Sequence, residues 1–114
     1  MSITRHGPGP RMSAAVVHGN TVYLAGQVSA DSDTMKGQTE QVLKKIDGLL
    51  ASAGTSKSKL LSATIYITDM RLFGDMNAVW DAWVDPQNTP ARATVQAALA
   101  NPKLMVEISI VAAI

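Results

Sequence analysis

A chain of 114 residues with a net charge of +1 and 46% hydrophobic residues fits one domain of ordinary size, spanning 1–114. It has no cysteine, which excludes a disulfide framework, a thiolate nucleophile and a Cys-ligated metal. Lys and Arg are scattered rather than gathered into the footprint of a dedicated nucleic-acid binder, and no apolar run is long enough to span a membrane.

Ile3-Thr4-Arg5 reads as a short edge strand before the turn-rich 7-GPGP-10. The apolar runs 14-AAVVH-18 and 21-TVYLAGQV-28 flank Gly19-Asn20, a two-residue hairpin turn. Residues 29–37 are polar and turn-like. Val42, Leu43, Ile46, Leu49, Leu50 and Ala53 then recur at helical spacing, with Gly54 placed to end the helix in a left-handed conformation. The stretch 60-LLSATIYIT-68 alternates apolar and polar residues, as a strand with one face in the core does. Thr68 or Asp69 can cap a second helix, whose stripe is Phe73, Met76, Val79, Trp80, Trp83 and Val84 and which Pro86 stops. Two strands follow, 91-ARATVQAA-98 and 103-KLMVEISIVAA-113. The order β-β-β-α-β-α-β-β predicts an α+β fold, one sheet with two helices on one face. The low charged fraction, 17%, leaves apolar surface for self-association.

Arg92 is the one charged residue between Pro86 and Pro102, so an anion must meet its guanidinium. If the last two strands form a hairpin and both bury their apolar alternates, parity puts Arg92, Thr94 and Gln96 on the sheet face away from the helices. Met105, Glu107 and Ser109 join them there, with Tyr23, Gln27, Thr64, Tyr66 and Thr68 from other strands. On this pattern Arg92 has two candidate anions, Glu107 and an acidic ligand. The face suits a half-buried subunit interface with clefts.

Nearly end to end, VYLAGQVS, LLASAG, ATIYITDM, FGDMNAVWDAW, TPARATVQ and LMVEISIVAA resemble the RidA (YjgF-like) family. The ARATVQAAL…NPK…VEI…VAA ending is similar to the small YoaB-like branch. With no apolar signal core in MSITRHGPGP the cytoplasm is the expected compartment, and the resemblance implies a chorismate-mutase-like fold and a homotrimer with three ligand clefts between subunits. It also implies hydrolysis of reactive enamine or imine acids to 2-keto acids and ammonia, with no cofactor and no metal. The family's carboxylate-clamping arginine falls on Arg92, its strand acid on Glu107 and its helix asparagine on Asn77. Met12 stands where the deaminase branch has Tyr, Ala25 where it has Ser, and Thr94 where it has Cys. With Arg92 and Glu107 as catalytic residues, Arg92, Met12, Ala25, Asn77 and Thr94 are the expected substrate contacts.

Each residue also has a plainer role. Arg92 and Glu107 could form an internal ion pair, Asn77 could bond neighbouring backbone, and Trp80 and Trp83 read as core. His6 and His18 lack metal-ligand spacing. Two rival functions remain: a non-catalytic trimeric binder of small carboxylates, and an endoribonuclease, against which the near-neutral charge counts.

Overall fold

The computed structural model describes residues 1–114. Six strands form one mixed sheet: Ile3–His6 (β1), Ala15–His18 (β2), Thr21–Leu24 (β3), Leu60–Ile67 (β4), Ala91–Gln96 (β5) and Val106–Ala113 (β6). Two helices, Met35–Ser52 (α1) and Phe73–Trp83 (α2), cover one face. The strand order is β1-β2-β3-β6-β4-β5. All neighbours are antiparallel except β4 and β5, which run parallel.

The Gly19-Asn20 hairpin forms, with His18 opposite Thr21 and Gly19 at φ 62°. Helix α1 begins inside the segment expected to be turn-like: the Thr34 hydroxyl accepts from Gly37 N at 3.0 Å and caps it. It ends as expected, with Gly54 at φ 83°. Asp69 caps a short 3-10 turn, Met70–Leu72, that leads into α2.

The core lies between helices and sheet. Val42, Leu43, Ile46 and Leu50 of α1, with Met76 and Trp80 of α2, meet Val22, Leu24, Ala63, Ile65, Ile67, Val106, Ile108, Ile110 and Ala112. Each large aliphatic among these contributes about 1.5–3 kcal/mol by leaving water. Gln38 is buried in the same layer, and every bond its amide makes goes to backbone. Its Nε2 donates to the carbonyls of Ser32 and Lys103 at 2.9 and 2.8 Å, and its Oε1 accepts from Met105 N at 2.8 Å. It ties the start of α1 to the segment entering β6.

The expected hairpin of the last two strands does not form. β6 inserts between β3 and β4, and β5 pairs with β4 at the sheet edge. Arg92 is opposite Ala63, which is opposite Ile110, and both of those are core residues under the helices. Arg92, Thr94 and Gln96 therefore face the helices, reversing the parity argument. The alternates Ala91, Ala93 and Val95 point the other way and are exposed. The reason is that β5 is an edge strand paired in parallel with β4, so its register follows β4 and not a hairpin with β6. Gln27 is a second correction, for it bridges Ile108, a helix-face position. Tyr23, Thr64, Tyr66, Glu107 and Ser109 do lie on the open face.

Candidate functional site

The expected site residues fall into two groups on opposite faces of the sheet. The first is a polar patch between β5 and α2. Phe73, Asn77 and Trp80 stand at i, i+4 and i+7, one stripe of α2. Arg92 meets that stripe: its Cζ lies 5.4 Å from the Trp80 ring centroid and 6.0 Å from that of Phe73. Thr94 follows on the same face of the strand. No carboxylate pairs with Arg92. The chain's one ion pair joins Asp69 to Arg71 at 2.7 Å. Asn77 Oδ1 and Thr94 Oγ1 are buried and have no hydrogen-bond partner. Asn77 Oδ1 is thus not satisfied by neighbouring backbone, contrary to its plainer reading. An unpaired buried polar atom costs about 1–3 kcal/mol, and here two stand beside an unpaired cation.

The second group surrounds Glu107 on the open face. Glu107 is opposite Tyr66, and its carboxylate lies over Gly26. A Cβ at Gly26 would stand 2.9 Å from Glu107 Cδ, so only glycine leaves the carboxylate its seat. Glu107, Gly26, Tyr66, Ser109 and Leu99 line a cavity of about 350 Å³. Ala25 adjoins Gly26, and its N–H donates to the Ala14 carbonyl at 2.9 Å. Met12 lies two residues before Ala14, in the loop between β1 and β2, and is 62% exposed.

Within one chain, then, Arg92 groups with Asn77 and Thr94, and Glu107 with Ala25. The Arg92–Glu107 ion pair, the plainer alternative for both residues, is absent, since the two leave opposite sides of the sheet. Two contributors escaped the sequence reading. Trp80 was assigned to the core alone, although its spacing from Asn77 puts both on one stripe. Gly26 was given no role, although a glycine inside a strand-like run signals a bulge or close approach.

The chain has relatives in sequence and in fold. Residues 4–114 match the family model described as Endoribonuclease L-PSP. The RutC family protein YoaB of Escherichia coli K12 is 45% identical over 115 residues, covering 100% of both chains. The chain belongs to the RutC/YjgF family. A RutC family protein of Haemophilus ducreyi is 46% identical over 113 residues, with 98% of this chain and 97% of that protein covered. The crystal structure of a YjgF family member from Neisseria meningitidis superposes with a TM-score of 0.98 at 45% identity, covering 99% of this chain and 95% of that one. Family membership accounts for the sheet order and the two-helix cover. No helix is long and apolar enough to cross a membrane.

Proposed function

We propose that this protein hydrolyses small enamine or imine acids to 2-keto acids and ammonia, in clefts between the subunits of a cytoplasmic homotrimer. The observation that carries the reading is the unsaturated patch: a guanidinium without an anion beside two buried oxygens without partners. A planar substrate carboxylate supplies the missing anion, and the Arg92 fork can grip both of its oxygens. The substrate nitrogen can donate to Thr94 Oγ1 or Asn77 Oδ1.

Glu107 of a neighbouring subunit supplies the base. Its carboxylate accepts a proton from water as the water oxygen adds to the imine carbon. The proton passes to nitrogen to give a carbinolamine, and the same carboxylate then relays the new hydroxyl's proton to the amine as the carbon–nitrogen bond breaks, leaving a 2-keto acid and ammonia. A subunit boundary is required because Arg92 and Glu107 of one chain face opposite sides. The exposed Ala91, Ala93 and Val95 on an edge strand give such a boundary an apolar surface to cover.

The test is to generate a three-carbon imino acid in situ and follow keto-acid formation with wild type, Arg92→Lys and Glu107→Gln. A wild-type rate above the uncatalysed one, lost in both variants, is expected. An uncatalysed wild-type rate with intact keto-acid binding would favour the second reading, a trimeric carboxylate binder. Ala25 and Met12 favour that reading, since they replace two hydroxyl-bearing residues of the deaminase branch. The endoribonuclease description has less behind it: a net charge of +1 gives a polyanion little to bind.

A further inference from the structure

A half-buried guanidinium can be held by a carboxylate, by hydrogen-bond acceptors or by aromatic faces. Arg92 has no carboxylate within ion-pair distance and donates no hydrogen bond within the chain. Aromatic faces are what remain. Phe73 is at 6.0 Å, at the limit of such contacts, and is 36% exposed. Trp80 is nearer, at 5.4 Å, and only 5% exposed. Trp80 is itself braced. Its ring lies 5.3 Å from that of Trp83, tilted by 51°. The Trp83 indole N–H donates to both carboxylate oxygens of Asp47 on α1, at 3.1 and 3.0 Å.

We propose that Trp80 is a positioning residue for Arg92, holding its guanidinium against the indole face so that the fork is fixed while all its N–H donors stay free for a ligand carboxylate. This rests on the reading of Arg92 as the carboxylate clamp. The alternative anchor, a protein carboxylate, would occupy the very donors a substrate needs. An aromatic face attracts the cation through its quadrupole and accepts none of those N–H groups in the plane of the fork. Tryptophan has the strongest such face, and the Asp47–Trp83–Trp80 stack links the clamp to the middle of α1.

Calorimetric titration with 2-ketobutyrate tests this on wild type, Trp80→Phe and Trp80→Leu, with melting temperatures recorded for each. Trp80→Phe keeps an aromatic face, whereas Trp80→Leu keeps apolar bulk without one. The leucine variant should bind about tenfold more weakly than wild type, with the phenylalanine variant recovering most of that loss. A lost core contact alone would lower both melting temperatures without separating the two affinities. Because a core substitution can prevent folding, a second measurement uses Trp83→Phe, in which Trp80 is the sole tryptophan. Its emission should change on titration with the dissociation constant that calorimetry gives. Equal affinities of the Trp80 variants, or unchanged Trp80 emission at saturation, would overturn the inference while leaving the clamp standing. Absence of 2-ketobutyrate binding by wild type would overturn the clamp and the inference together.

Discussion

Gln38 and Asn77 are both helix amides turned toward the sheet, and the fold treats them in opposite ways. Gln38 makes three hydrogen bonds, all to backbone, across up to 67 residues of sequence. Asn77 Oδ1 is buried with no partner, as is Thr94 Oγ1 nearby. One amide is saturated because the chain needs it to fasten α1 to the entry of β6. The other is left open beside Arg92. A fold that satisfies a buried amide completely in one place shows that the open patch is not general loose packing. On the reading proposed above, the patch is completed from outside the chain.

The strongest way to break this comparison asks who completes the patch. Arg92→Ala and Glu107→Gln should each lower the deaminase rate by about 10²–10⁴, the usual worth of a positioned acid–base group or its substrate clamp. If each cleft combines Arg92 of one subunit with Glu107 of the next, the two defects complement each other. Random equal reassembly of the two variants leaves one intact cleft in every mixed three-membered ring, or about a quarter of all clefts. Assay of the dissociated, mixed and reassembled proteins measures it. Recovery to about a quarter of the wild-type rate is expected. No recovery, with mixed rings verified by mass, would put the whole site within one subunit or refute it.

Gln38→Leu probes the saturated side. It leaves the Ser32 and Lys103 carbonyls and the Met105 N–H without their partner, at about 1–3 kcal/mol for each that stays buried. The melting temperature should fall by more than about 10 °C. Keto-acid affinity of the protein that remains folded should be unchanged, as titration below the transition would show. A small thermal effect would mean that water or backbone replaces the amide easily.

The open side responds in the reverse sense. Thr94→Val and Asn77→Leu remove buried oxygens that have no partner, so the unliganded protein should be no less stable, and more stable by up to about 1 kcal/mol. Affinity for 2-ketobutyrate should nevertheless fall. Thermal melts with and without ligand separate the two effects. A destabilised apo protein would show that these oxygens have partners in solution and that the patch is ordinary core.

How much of this was legible in the chain follows from where the physics is local. Helical spacing in Val42–Leu50 and alternation in 62–67 are properties of a single element and match the structure, whereas Leu61, expected on the core face, is 50% exposed and Leu60 is buried instead, because the register shifts between Leu60 and Ser62. Parity for β5 needed its partner, and the partner is β4 rather than the strand that follows in sequence. Its Ala-Val alternates have the spacing of core positions, yet on the edge strand β5 they are exposed. Arg92, Asn77 and Glu107 were picked out by residue type and motif. Their separation onto two faces depends on the β6 insertion, which brings together residues more than 80 apart, such as Tyr23 and Val111. Gln38 gave no signal, because its three partners are backbone groups.

The smallest expected effect concerns the ends of α2, which carries Asn77 and Trp80. Asp69 precedes the helix, and hydrogen bonds from the Arg71 side chain and backbone hold its carboxyl below the usual range. Asp85 follows it, lowered first by the Asn88 side chain and then by the Gln87 backbone N–H. A carboxyl with a depressed folded-state pKa adds stability that is complete above its unfolded value, about 3.9 for Asp, and is lost as pH falls through the folded one. Both groups are on the surface, so the whole-protein effect is small. It should appear as local loosening of the two ends of α2 below about pH 4, while Gln38 and its backbone partners, which carry no titrating group, stay ordered. Amide exchange compared between pH 7 and pH 3, corrected for intrinsic rates, measures this residue by residue. Asp69→Asn and Asp85→Asn should show the loosening already at pH 7 and change little on acidification. If acid instead released the Gln38 amide contacts before the ends of α2, the saturated region would be the weaker of the two, and the contrast drawn between the two amides would fail.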